Sequence, residues 1–212
     1  METQEKESCL IEKTKRTRVR GPGPRRNEMV TFAKIGDVDT AILDQLRIIL
    51  LQNPQNDLGG DDYNISQQCD LKDVFNAAGS YRQVLLQKSK YDSPTANEFD
   101  YTEFNDPIVI PWFENIYRLR LSYMGPRHVI NWHIDTDTSV MCRAQICLNN
   151  NDSVFKFKTK DGVEEFMMKP GEMWFINTGW PHCVEGRETD RAVAIFGFEY
   201  KDYYGNTNLL RA

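Results

Sequence analysis

The sequence predicts an α+β chain that is mainly β: a double-stranded β-helix, or jelly roll, with N-terminal helices packed outside it. Three observations carry this expectation. From Ile108 onward the chain divides into short apolar or alternating runs separated by turn residues, as in an antiparallel sandwich or barrel. Two of the separators, Lys160-Asp161-Gly162 and Lys169-Pro170-Gly171-Glu172, are strong turn signals. Before Ile108 the pattern differs, and one stretch repeats its apolar residues at helical spacing.

Between residues 13 and 26 every charged residue is basic (Lys13, Lys15, Arg16, Arg18, Arg20, Arg25, Arg26), and Gly21-Pro22-Gly23-Pro24 interrupts any regular element. Residues 1–30 therefore read as a basic flexible arm or edge segment, and residues 31–212 as a single domain whose jelly-roll core runs from about 108 to 200. Asp37-Val38-Asp39-Thr40 supplies helix-starting residues. Ile42, Leu43, Leu46, Ile49 and Leu50 then recur on one helical face up to Gln52, and Asn53-Pro54 stops the helix. Residues 58–62 form a turn-rich connection, residues 74–78 fit a helix, and residues 81–86 fit a strand or a helix. Residues 92–107 are polar and interrupted, as expected of a loop. The expected strands are 116–123, 131–135, 142–148, 153–159, 163–168, 172–176, 182–185 and 191–200.

The chain has 212 residues, 40% of them hydrophobic and 11% aromatic, enough for one sizeable core. A net charge of −5 argues against general nucleic-acid binding, and leaves the basic arm as the place for an anionic partner. No apolar run is long enough to span a bilayer, and the polar start Met1-Glu2-Thr3-Gln4-Glu5 is not a signal peptide, so a cytoplasmic location without membrane contact is expected. Five cysteines without CxxC spacing read as reduced thiols.

The chemistry gathers around His133-Ile134-Asp135. In an extended strand His133 and Asp135 share a face, one imidazole beside one carboxylate. Of the three histidines, the last, His182, stands in Gly179-Trp180-Pro181-His182 and is followed by an apolar run. Two histidines and a carboxylate with open opposite positions suit non-haem Fe(II). Glu185-Gly186-Arg187-Glu188 reads as a hairpin loop, which would set His182 opposite Arg191 across a ladder and send Arg191 into the same cavity. An arginine buried beside Ala192, Val193, Ala194 and Ile195 needs an anion, and its planar guanidinium grips a carboxylate in bidentate fashion. Iron beside a carboxylate receptor describes a site for a 2-oxo acid. Blander readings stand beside these: His133 as a structural histidine, Asp135 with Thr136-Asp137-Thr138 as a turn, Arg143 as a salt-bridge partner, and Trp132, Trp174 and Trp180 as packing. His128 is expected to be exposed.

The ordered set Arg118-Leu119-Arg120-Leu121, Gly125-Pro126, His133-Ile134-Asp135, Arg143-Ala144-Gln145 with Leu148-Asn149, Pro170-Gly171-Glu172 with Trp174 and Asn177, His182 and Arg191 resembles the 2-oxoglutarate and Fe(II)-dependent oxygenases. Within them it resembles the aspartyl/asparaginyl β-hydroxylase group, which includes free-proline hydroxylases. The resemblance covers residues 117–200. It implies a cupin-like fold, with His133, Asp135 and His182 binding Fe(II) and Arg191 pairing the distal carboxylate of 2-oxoglutarate. Arg143 would help to orient cosubstrate or substrate. The implied reaction couples decarboxylation of 2-oxoglutarate, with O2, to hydroxylation of a free amino acid or a residue in a peptide or protein. Gln145 stands where the family usually has histidine, which puts the cosubstrate contact at that position in question. The alternative of another class is a cupin-like, non-catalytic binding or structural protein that docks through its basic arm. A zinc or manganese hydrolase or isomerase on the same fold gives Arg191 no task beside the metal.

Overall fold

The computed structural model describes residues 24, 26–53, 81–89, 99–101, 110–135, 142–205 and 209–211. The basic arm before residue 24, the turn-rich connection at 58–62, the helix expected at 74–78 and most of the loop expected at 92–107 lie outside them.

All eight expected strands form, each within two residues of its expected limits. They are β5 (Tyr117–Met124), β6 (Val129–His133), β7 (Cys142–Cys147), β8 (Val154–Thr159), β9 (Gly162–Phe166), β10 (Glu172–Ile176), β11 (His182–Glu185) and β12 (Arg191–Phe198). Four more precede them: β1 (Phe32–Asp37), β2 (Tyr81–Leu85), β3 (Gln87–Ser89) and β4 (Phe99–Tyr101). The ambiguous stretch at 81–86 is thus a strand. The helix α1 (Thr40–Gln52) starts on Asp39, whose Oδ1 accepts from the Ala41 N–H at 2.7 Å. Where several helices were expected, it is the one α-helix among the described residues; Arg26–Glu28 and Tyr200–Asp202 are single 3-10 turns.

A six-stranded sheet in the order β1-β10-β7-β12-β5-β2 faces a four-stranded sheet in the order β6-β11-β8-β9, all antiparallel. This is the two-sheet jelly-roll arrangement. One expectation fails here: β11 lies in the smaller sheet and β12 in the larger, so His182 and Arg191 are not cross-strand neighbours. The segment between them is a crossover between sheets, not a hairpin. Gly186 shows why, since a Cβ there would stand 2.5 Å from the His128 carbonyl oxygen. The crossover packs against the turn joining β5 to β6, through Gly186 N–H to His128 O (2.8 Å) and Arg127 N–H to Arg187 O (2.7 Å). A third connection, from β7 to β8, joins them through Asp152, whose carboxylate accepts from the N–H groups of Glu188 and Thr189, each at 3.1 Å.

Strand alternation gives the larger sheet two different faces. Its outer face carries Val84, Leu119, Leu121, Ala144, Ile146, Met173, Phe175, Ala194, Phe196 and Phe198, packed with Leu43, Leu46, Ile49 and Leu50 of α1. Each Val, Leu, Ile, Phe or Met side chain among them, once buried, stabilises the fold by roughly 1.5–3 kcal/mol. The inner face meets Phe155, Phe157, Phe166 and Val184 of the smaller sheet.

Candidate metal centre

Pairing of β6 with β11 sets His133 directly opposite His182, with ring centroids 4.2 Å apart. Each imidazole turns its Nδ1 to the backbone carbonyl two residues earlier, His133 to Asn131 O at 2.7 Å and His182 to Trp180 O at 2.9 Å. A carbonyl only accepts, so both Nδ1 atoms carry a proton, which leaves Nε2 as the nitrogen through which each ring could bind a metal. Carbonyl partners of this kind orient metal-binding histidines.

Asp135 corrects the strand expected at 131–135, because β6 ends at His133. The chain leaves the sheet, and Asp135 is caught by its own N–H donating to Thr178 O at 3.0 Å. Its Oδ1 lies 3.7 Å from His133 Nε2, while Oδ2 pairs with Arg143 Nη1. One ligand atom from each of His133, Asp135 and His182 lies within 4.8 Å of the others. Burial by itself would raise the Asp135 pKa; Arg143, then His182, His133 and Arg120, overcome it and lower the pKa to about 2. Burial pushes His182 the other way, to about 4, so the ring is neutral at pH 7. Two imidazoles whose Nδ1 atoms face backbone carbonyls, together with an ionised carboxylate, are a donor set that fits a divalent transition metal.

Arg191, only 5% exposed, projects from the inner face of the larger sheet and reaches across the sandwich. Its guanidinium lies 5.7 Å from the Phe155 ring of the opposite sheet. Phe155 and Phe157 in turn stack on His182, at 5.8 and 5.7 Å between centroids. His182 pairs with Phe157 and Val184 with Phe155, so Arg191 lies level with the next inward rung, about 6.6 Å along the strands from the histidines. Arg191 and the three candidate ligands thus share one interior, by a route between sheets rather than along a ladder.

The remaining candidates are placed as follows. Arg143 pairs with the Asp135 carboxylate, and Gln145 Oε1 accepts from Arg191 Nη2 at 2.6 Å. Ser122 escaped the sequence reading: it is 1% exposed, and its Oγ is buried without a hydrogen-bond partner. It lies on the inner face of β5, two residues from Met124, the residue paired with Arg191. Nothing local marks a serine in Leu-Ser-Tyr as special; only the register does. His128, expected to be exposed, is 4% exposed, and burial lowers its pKa. Arg127 forms a surface pair with Glu188. Trp174 stacks on Phe166 at 4.6 Å, and Trp180 lies 5.1 Å from the Arg211 guanidinium.

No protein-family model and no curated protein matches the chain. Solved structures do. The chain shares its fold with AviO1 from Streptomyces viridochromogenes Tue57, at 13% identity and a TM-score of 0.52, covering 84% of this chain and 93% of AviO1. HygX from Streptomyces hygroscopicus, solved with nickel, 2-oxoglutarate and hygromycin B bound, is matched at 12% identity and a TM-score of 0.49, over 82% of this chain and 84% of HygX. An oxidoreductase of the 2OG-Fe(II) oxygenase family from Burkholderia pseudomallei is matched at 12% identity and a TM-score of 0.46, over 85% of this chain and 100% of the other. The chain spans about half the length, 48%, of a DMSP lyase structure matched with a TM-score of 0.35.

Proposed function

We propose that this chain is an Fe(II)- and 2-oxoglutarate-dependent oxygenase that hydroxylates a free amino acid or a peptidyl residue, in the manner of the aspartyl/asparaginyl β-hydroxylase group. The observation that carries the reading is the convergence of His133, Asp135 and His182 on one point, with Arg191 buried one rung further in. A metal and a deeper cation separated by the length of a short dicarboxylate describe a receptor for 2-oxoglutarate.

Iron held by the triad supplies the oxygen chemistry that couples 2-oxoglutarate decarboxylation to C–H hydroxylation. The protein's own groups bind and orient. Arg191 receives the distal carboxylate, and the unpartnered Ser122 hydroxyl on the same face donates to it. Arg143 holds one oxygen of Asp135 and leaves the other to the metal. Phe155, Phe157 and Phe166 form a dry wall that keeps water from the reacting centre.

The full chain supplied with Fe(II), 2-oxoglutarate and ascorbate should form succinate, and His182→Ala should abolish it. Metal-replete protein that takes up no 2-oxoglutarate in calorimetry would sink the reading.

A further inference from the structure

Arg191 is the first residue of β12, where regular pairing with β7 is already ending. Beyond Cys147 the ladder comes apart in an ordered way. Leu148 still donates its N–H to Ala192 O at 2.9 Å, but the Leu148 carbonyl accepts from Arg47 Nε of α1 instead of facing β12. The side chain of Asn149 takes over. Its Oδ1 accepts from the Ala192 N–H at 2.8 Å, and its Nδ2 donates to the Asp190 carbonyl at 3.0 Å. One amide therefore holds the peptide groups on both sides of Arg191, as a neighbouring strand would. Four residues earlier on the same chain, Gln145 holds the other end of the arginine, its guanidinium.

We infer that Asn149 is a positioning residue: by standing in for the missing strand at the start of β12, it presets Arg191 as the receptor for the distal carboxylate of the cosubstrate. The inference rests on the function proposed above. A buried guanidinium is useful only if its fork is already aimed, because a side chain that must be ordered on binding loses affinity to that ordering. Gln145 supports Arg191 at its guanidinium, and Asn149 supports it at its root. The metal ligands stand on β6, on β11 and after β6, so removing the Asn149 amide leaves their supports intact.

The test uses the full chain charged with Mn(II) and two probes in calorimetry. N-oxalylglycine, an inert stand-in for 2-oxoglutarate, has a distal carboxylate; oxalate chelates the metal and has none. Asn149→Ala should weaken N-oxalylglycine about tenfold, the scale of one or two lost hydrogen bonds, while oxalate binding changes by less than about twofold. Equal loss for both probes, or none for either, overturns the inference, because a merely structural residue does not distinguish them. If Asn149→Ala does not fold, Asn149→Ser is read by the same ratio. Wild-type protein that binds oxalate but not N-oxalylglycine overturns the proposed function and this inference with it. Wild-type protein that binds both, with the variant unchanged, removes this inference alone.

Discussion

The two faces of the six-stranded sheet are built by the same strands and have opposite characters. On the outer face of β5, β7 and β12, Leu119, Leu121, Ala144, Ile146, Ala194 and Phe196 are apolar and buried under α1. On the inner face, the residues between them include Arg120, Ser122, Arg143, Gln145 and Arg191. Burying charge and unpartnered polar groups costs stability, whereas burying hydrocarbon supplies it. The comparison teaches that the outer core makes the inner one tolerable: one face of each strand supplies the hydrocarbon burial that offsets the polar and charged groups of the other.

The largest expected effect that separates the faces is Phe196→Ala. It opens a cavity in the outer core beside Phe113 and should cost about 3–5 kcal/mol in urea unfolding, with 2-oxoglutarate affinity unchanged in the molecules still folded. A parallel loss of affinity would break the division. Next comes pH. Burial holds the folded His182 pKa at about 4 against an ordinary 6.5, so the unfolded chain takes up a proton first as pH falls. Metal-free protein should therefore lose stability as the pH drops from about 6.5 toward 4. Asp135, lowered to about 2 from 3.8 by Arg143 acting against burial, adds its own loss only below about pH 4. Urea midpoints across that range check both, and the Phe196→Ala profile should run lower with the same slope. A flat profile between pH 6.5 and 4 would count against a buried neutral His182. The smallest effect on stability is expected from Arg191→Met. It removes a buried charge and also the hydrogen bond to Gln145, and these offset to within about 1 kcal/mol, although cosubstrate binding is lost. A drop of several kcal/mol would show that Arg191 serves the fold as well as the site.

Much of this was legible in the sequence because it is local. Alternation with turn residues locates strands, and Asp39 before a helical apolar stripe locates α1. What was not legible is non-local. Glu185-Gly186-Arg187-Glu188 has the composition of a hairpin loop, and only the closeness of Gly186 to His128 O shows that the chain is passing between sheets. Strand β1 carries a register shift between Lys34 and Gly36, which blurs its alternation. Asp135 looked like a strand residue because spacing cannot tell that β6 stops at His133; Thr178, far along the chain, catches it. His133, Asp135 and His182 could be singled out in the sequence because it has only three histidines, and the structure brings the three side chains together. Ser122 does not stand out in the sequence because serine is common; only the strand register shows that it shares the inner face with Arg191.

The seam formed by the three connections at one end of the sandwich bears on how such a sequence can change. Gly186 leaves no room for a side chain against His128, Asp152 holds Glu188 and Thr189, and Asn149 holds Asp190 and Ala192. These connections touch one another, so substitutions at contacting positions among them combine non-additively.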